Sequence, residues 1–361
     1  MQMVASKNVL IVGGGLAGCF MAMESAKRGH RIRLVDRYNP KSASRVAAGL
    51  YNVITGREAN KTWMADEMLA ALAAVTAHPA FAELERYIHP MPILRPFPDG
   101  TNYNDWMVRL QDPEFSWLAA HQGIPFRPDV LQNPIGGLRI LPCGWVETEA
   151  ICKAIVEILA AKFDFQRVES PFYYASLNPN TGECSQPGLE DTYDEIIFAE
   201  GMGIMGNPWF QFVEIRPLKG QILELKMEDG LGEEQILLRK MFLIPKGDLF
   251  YTAGSTYELH FEDDETDAEG IKTITDSVEE VTPLGFEVLS ARASIRPTTP
   301  NRRPILGRHP EFERLIVCNG LGTKGVLQGP YSALILRDWL DGHSPSLGKD
   351  VSVLRFLKKF A

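Results

Sequence analysis

A short apolar run that ends in a cluster of glycines constrains this chain more than any other feature. Asn8-Val9-Leu10-Ile11-Val12 shows no polar alternation, so it reads as a strand buried on both faces in a parallel sheet. Gly13-Gly14-Gly15-Leu16-Ala17-Gly18 follows directly and fits G-x-G-x-x-G. Leu16 to Arg28 then reads as a helix, with Leu16, Phe20, Met23 and Ala26 near one face and Gly29 as its stop. Arg31 to Asp36 reads as a second strand that ends in an acid, 18 residues after the last motif glycine. Strand, helix, strand and acid in this order predict a dinucleotide site. Gly13 permits the tight turn, Gly15 lets the backbone approach a pyrophosphate at the helix N-terminus, and Gly18 lets helix and strand pack closely. Leu16 and Ala17 open that helix. Asp36, with Arg37 beside it, is placed to accept from ribose hydroxyls. An acid there argues against a 2′-phosphate, so FAD or NAD fits better than NADP. The fingerprint by itself does not separate those two.

Composition narrows the class. A chain of 361 residues suggests two domains or an interleaved pair, at about 150 residues each. With 37 Lys and Arg against 46 Asp and Glu, the net charge is −9. Such a chain lacks the excess of cations that a nucleic-acid partner or an anionic membrane surface demands, so neither is expected. Cys19, Cys143, Cys152, Cys184 and Cys318 form no C-x-x-C pair and are odd in number, which suits a reducing compartment. The histidines show no H-x-x-x-H spacing, so no metal site is expected. Val9 to Met23 is the longest uncharged apolar stretch, and its 15 residues are too few to span a bilayer. A cytoplasmic globular protein is the expectation.

Along the chain, Ser42-Ala43-Ser44-Arg45-Val46-Ala47-Ala48-Gly49-Leu50 is rich in small residues, which let backbone amides approach a ligand; a plain loop is the alternative. A helical stretch follows near Thr62 to Thr76. From Phe81 to Pro142, alternating prolines predict irregular or edge structure. Thr148 to Lys162 is an amphipathic helix carrying Ile151, Ile155, Ile158 and Leu159 on one side. Asp194 to Ala199 is a strand running into Glu200-Gly201, another place for a ligand at a sheet's carboxyl edge. Strands at Gln221 to Lys226, Lys240 to Pro245 and Leu249 to Ala253 come in succession and predict a second, mostly antiparallel sheet. Six acids within Glu262 to Glu269 read as the solvated start of a helix near Ala268 to Val278, with a cation site as the alternative. After Leu315 to Cys318, a strand, comes a second glycine-rich loop, Asn319 to Gly325. The helix that follows has Pro330 near its first turn and Gly342 past its end.

Seven separated motifs carry a family resemblance. They are V-G-G-G-L-A-G at 12–18, S-R-V-A-A-G at 44–49, A-E-G at 199–201, P-L-K-G-Q at 217–221, A-G-S-T at 253–256, I-R-P-T-T-P-N-R-R-P-I-L-G at 295–307 and N-G-L-G-T-K-G-V at 319–326. In order and spacing the chain resembles the FAD-dependent oxidoreductases of the D-amino acid oxidase superfamily, which includes glycine oxidase and sarcosine oxidase. The resemblance implies an α/β fold: a Rossmann-like FAD-binding domain with a parallel sheet, interleaved with an α+β substrate domain on a mostly antiparallel sheet. The expected FAD-binding domain is discontinuous, 1–84, 143–215 and 292–361. The substrate domain takes 85–142 and 216–291.

The resemblance also implies site roles. Gly13, Gly15, Leu16, Ala17, Gly18, Asp36, Arg37, Ser44, Arg45, Ala48, Gly49, Val168, Ala199, Glu200 and Gly201 would hold the cofactor. So would Gly320, Gly322, Thr323, Lys324, Gly325 and Val326, against the pyrimidine edge of the flavin. Backbone amides there would stabilise the reduced ring, and Lys324 would add charge. Arg296 would fork onto a substrate carboxylate and hold the Cα–H toward the flavin. Tyr251 would donate to the same carboxylate, with Arg292 and Tyr257 as further candidates. Asn301 stands where many relatives carry Asp, and Ser294 where a Gly often precedes the arginine. No cysteine precedes Asn301 in that stretch, so FAD would be bound non-covalently. The implied activity is oxidation of the C–N bond of a small carboxylate-bearing amine, with O2 or another electron acceptor. A 2-hydroxy acid or polyol dehydrogenase, oxidation of a modified tRNA base, and a flavin-binding protein without turnover are the alternatives. The sequence leaves the oligomeric state open.

Overall fold

The computed structural model describes residues 5–56, 58–115, 118–121, 129–132, 135–231, 235–340, 343 and 347–359. Its first sheet has six strands in the order Phe165–Val168, Arg31–Val35, Asn8–Val12, Glu195–Phe198, Leu315–Asn319 and Ile305–Arg308. All pair in parallel except the last, which runs antiparallel at the edge. Side-chain alternation along Asn8–Val12 sends Val9 and Ile11 to one face and Leu10 and Val12 to the other, into two separate apolar clusters. The first cluster is closed by the helices Leu16–Lys27, Thr148–Lys162 and Gly325–Leu340. Burial on both faces is why these strands lack polar alternation. Leu16 through Ala26 are all buried, so this helix too carries little amphipathic signal.

The second sheet has eight strands: Phe286–Thr298, Arg216–Met227, Phe250–Gly254, Phe242–Gly247, Ile236–Leu238, Ile93–Pro96, Gly137–Ile140 and Ala119–His121. Only Ile236–Leu238 and Ile93–Pro96 pair in parallel. The helix Ala268–Glu279 covers one face, where Ile274 and Val278 pack with Leu223, Leu225, Leu243, Tyr251 and Ala253. The opposite face carries Ile244 into a cluster with Val53, Ile54, Ala65 and Trp145. That face is where the second sheet meets the segments that follow the first glycine motif.

Three differences from the sequence reading have physical causes. Gly100–Arg109 is a helix inside the stretch expected to be irregular. Asp99 caps it, its carboxylate accepting from the Asn102 N–H at 2.8 Å, and Trp106 alone is buried, so the apolar period is faint. Phe286–Thr298 crosses the boundary placed between 291 and 292, because the strand pairs along its length with Arg216–Met227. Pro330 stands inside the helix Gly325–Leu340 rather than in its first turn, while Gly342 lies outside the described residues. No helix among the described residues is long and apolar enough to cross a membrane.

Candidate active site

Five parallel strands end at one edge of the first sheet, and their carboxyl ends bring the separated motifs together. Gly13 adopts φ +107°, and a Cβ there would collide with the Ala199 carbonyl at the end of Glu195–Phe198. A Cβ on Gly18 would collide with the Gly13 carbonyl, so the helix lies directly on the turn. Gly15 caps that helix without a side chain, and the first turn holds no acid. Ser44 Oγ accepts the Leu16 N–H at 3.0 Å and would stand 2.8 Å from a Cβ on Gly15. The helix thus brings its positive dipole end to this tightly packed glycine turn.

Asp36 stands at the end of Arg31–Val35. One carboxylate oxygen accepts the Gly14 N–H at 2.9 Å, and the other holds Arg45 Nη2 at 3.1 Å. The Arg45 guanidinium also lies 4.5 Å over the Tyr38 ring. Arg37 is exposed beside them. The Val168 carbonyl accepts the Asp36 N–H at 3.1 Å, joining the outer strand to the same corner. Ala48 packs on the cluster between the sheets, and Gly49, at φ +78°, meets the Val146 backbone so closely that a Cβ would collide.

The second glycine loop closes the other side. Asn319 donates from Nδ2 to the Gly201 carbonyl at 3.0 Å and accepts the Gly320 N–H at 2.7 Å. Gly320 and Gly322 have φ +70° and +54°, and the Gly322 N–H reaches the Pro297 carbonyl at 3.1 Å. Thr323 is exposed and Val326 buried, and a Cβ on Gly325 would lie 3.2 Å from Leu16, so the two motif helices abut. Lys324 donates to Asn52 Oδ1 at 3.1 Å, the Asn52 and Ile54 carbonyls at 3.3 and 3.2 Å, and Thr62 Oγ1 at 3.0 Å. Burial pushes its amine down to about 8. Lys324 therefore ties the loop to residues 52–62. Glu200 turns away from the glycines, accepting from Tyr174 at 2.5 Å and Asn207 at 2.9 Å, and burial raises its carboxyl above the usual range.

On the second sheet, Arg296 lies on the face turned toward this corner, over Gly220. Its Nη1 donates to the Thr256 carbonyl at 3.2 Å and its guanidinium lies 5.1 Å from the Tyr257 ring centroid. Burial lowers its pKa. Ser294, two residues earlier, donates to the Lys41 carbonyl at 2.7 Å and fixes the strand to the first sheet's loops. The structure does not bring Tyr251 to Arg296. Strand alternation turns Tyr251 to the opposite face, beneath the helix Ala268–Glu279, where its hydroxyl accepts the Leu231 N–H at 3.3 Å. Arg292 pairs with Glu224 at 2.9 Å, and Asn301 serves its own loop, donating to the Asp350 carbonyl at 2.8 Å.

Sequence reasoning gave no site role to Asn52, Thr62 and Asn319, because a polar side chain whose partner lies far along the chain leaves no local signature. Four of the six carboxylates in the acidic run are engaged. Lys219 Nζ lies 3.1 Å from Asp267 and 3.8 Å from Asp263, Asp264 and Glu265 meet Lys41, and Asp267 caps the helix. Among the described residues no group of three or more His, Cys, Asp or Glu is placed to hold a metal.

Residues 8–339 match the family described as FAD dependent oxidoreductase. The chain is 22% identical to the glycine oxidase of Geobacillus kaustophilus (strain HTA426), covering 92% of this chain and 93% of that one. It is also 22% identical to the tRNA 5-methylaminomethyl-2-thiouridine biosynthesis bifunctional protein of Idiomarina loihiensis, where 97% of this chain spans 59% of that protein's length. The crystal structure of glycine oxidase from Geobacillus kaustophilus superposes with a TM-score of 0.79 at 19% identity, covering 95% of this chain and 97% of that one.

Proposed function

The chain belongs to the FAD-dependent oxidoreductases, and from that premise we propose that it oxidises the C–N bond of a small amino acid or N-alkyl amino acid. The family is one of enzymes that use FAD, and this chain's residues fit that group. Gly13, Gly15 and Gly18 let the turn, Ser44 and the neighbouring strand pack tightly around a helix N-terminus that has no acid of its own, where a pyrophosphate would sit. Asp36 and the Val168 strand stand where the adenosine half would be held, and Gly320 to Val326 supply backbone amides for the ring. FAD, when bound, supplies a two-electron acceptor. Attachment is read as non-covalent, since no cysteine stands in the stretch before Asn301.

Arg296 carries the reading. It is a buried guanidinium on the inner sheet face whose neighbours are a backbone carbonyl and an aromatic ring, with no ion pair among the described residues. Glu258 acts on the guanidinium electrostatically without pairing with it, and a planar fork so placed matches a substrate carboxylate in two parallel hydrogen bonds. Held there, the substrate keeps its Cα–H and amine in one orientation, so the protein's contribution is positioning. The amine gives up a hydride from Cα and a proton from nitrogen, two electrons and two protons in all, to become an imine that water hydrolyses; O2, as terminal acceptor, takes the two electrons and two protons and leaves as hydrogen peroxide. A cytoplasmic site suits five unpaired buried cysteines.

Anaerobic bleaching of the flavin band by a panel of amino acids, N-alkyl amino acids and hydroxy acids tests this. Bleaching by carboxylated amines supports it, and bleaching by hydroxy acids alone overturns it. A second reading, oxidation of a modified tRNA base, is favoured by the similarity to the tRNA-modifying protein. Salt-dependent retention of tRNA, against the charge of −9, would support that reading instead.

A further inference from the structure

Trp145 stands on the strand Gly144–Val146, directly opposite His89 on Ile88–Pro90. The His89 ring stacks on the indole at 3.9 Å and 19°, and its Nε2 meets Glu147 Oε1 at 2.8 Å. Lys246 Nζ lies 3.1 Å from the indole centroid. Both cannot occupy one face at these distances, so the ammonium and the imidazole take opposite faces of the same indole.

Lys246 reaches this position from the second sheet. The register shifts between Pro245 and Gly247, and Lys246 there meets Trp145 on the inner-face side, where Ile244 packs with the same indole's cluster. Its ammonium has the ring and no hydrogen bond or ion pair among the described residues. Trp145 Nε1 is likewise without an acceptor, in a residue only 8% exposed. A buried indole N–H left unpaired costs free energy, and so does a desolvated ammonium. Two neighbouring donors from different sheets, the ammonium over the indole face and the indole N–H, thus lack an acceptor among the described residues, and the positive charge of one favours an anionic oxygen.

We propose that Lys246 and Trp145 form a second anion subsite, taking a carboxylate or phosphate group. Register separates it from Arg296. The Arg296 guanidinium lies over Gly220 and Pro245 is level with Leu225, so five residues of Arg216–Met227, about 17 Å of strand, lie between the two levels. A small amino acid held at Arg296 does not reach Lys246. The anion is the far end of an elongated substrate or a separate small ion, and the chemistry at the subsite is the same. The elongated form rests on the function proposed above; the small-ion form does not.

Protonation governs the site. Burial lowers the Lys246 amine to about 7, with Glu224 and Glu147 opposing that shift and Arg292 adding to it. His89 faces the same indole from the other side. Anion binding therefore tightens as pH falls through neutrality and fades above it.

The test uses purified holoenzyme of wild type, Lys246→Met, Lys246→Arg and Trp145→Phe, with flavin content and melting temperature as folding controls. Binding of inorganic phosphate and of acetate is read by tryptophan fluorescence, with Trp145→Phe identifying the responding indole. Turnover compares N-(10-carboxydecyl)glycine with its uncharged twin N-undecylglycine. We expect saturable binding or a lower KM for the acid-tailed compound, at least about tenfold weaker in Lys246→Met and largely kept in Lys246→Arg. A phosphate or acetate response alone identifies a small ion, and a KM effect confined to the acid tail identifies an elongated substrate. Equal behaviour of wild type and Lys246→Met toward all four compounds overturns the proposal. Loss of amine oxidation with phosphate binding intact overturns the function proposed above and leaves the subsite standing.

Discussion

Gly220 is the floor on which Arg296 lies: a Cβ added to the glycine would overlap Nη1, Cζ and Nη2 of the guanidinium. The two residues belong to adjacent strands, and the space above Gly220 is filled by the arginine's own tip. The obstructing atoms are the far end of a flexible side chain, so the backbone need not move.

Gly220→Ala should therefore fold and keep its flavin while Arg296 is pushed aside. Steady-state kinetics should show KM for a carboxylated amine raised roughly tenfold, the scale of one charged hydrogen bond. A melting temperature lowered by many degrees would show instead that the glycine serves the sheet.

Arg296→Lys keeps the charge and loses the fork. Both Arg296→Lys and Arg296→Met should lower kcat/KM for carboxylated amines by about a hundredfold, with Lys recovering only part. Flavin content should stay at the wild-type level. An unchanged kcat/KM in both variants would remove Arg296 from substrate binding.

Gly18→Ala places a methyl into the Gly13 carbonyl, which is backbone and cannot yield cheaply. Gly29 has open space around its Cβ position and pays only for its φ of +77°. Gly29→Ala should cost about 1 kcal/mol in denaturant unfolding. Gly18→Ala should cost more and purify with little FAD, read from the ratio of flavin to protein absorbance.

Asp36→Ala releases Arg45 and strips the Gly14 N–H of its acceptor. FAD should dissociate at least about tenfold more readily, measured by fluorescence recovery of released flavin. Asp36→Asn, which still accepts the Gly14 N–H, should fall between.

Lys324 is held down to about 8 from its ordinary 10.5. Between those values the unfolded chain binds a proton that the folded chain does not, so stability rises with pH across that window. Below it, the cost of the buried charge is present in full. Lys324→Met lacks this titration. The stability of wild type relative to Lys324→Met should rise from pH 8 to pH 10.5 in urea unfolding, and a flat difference would refute the assignment.

The sequence alone determined the parts whose signals are local. Val9 to Val12, the turn at Gly13, the helix behind it and Asp36 are read from apolar period, absent Cβ atoms and one acid, because each acts on neighbours within a few residues. The helix Thr148–Lys162 was legible for the same reason. Gly100–Arg109 was not, since only Trp106 of its residues is buried. Which face a strand residue takes was decided by tertiary structure. Tyr251 and Arg296 look equally available in sequence, yet the second sheet puts one under a helix and the other in the crevice. The Lys324 anchorage and the Lys246–Trp145 stack also belong to the fold alone. Their partners lie far away in sequence, and contacts at that range exist only once two sheets close on each other.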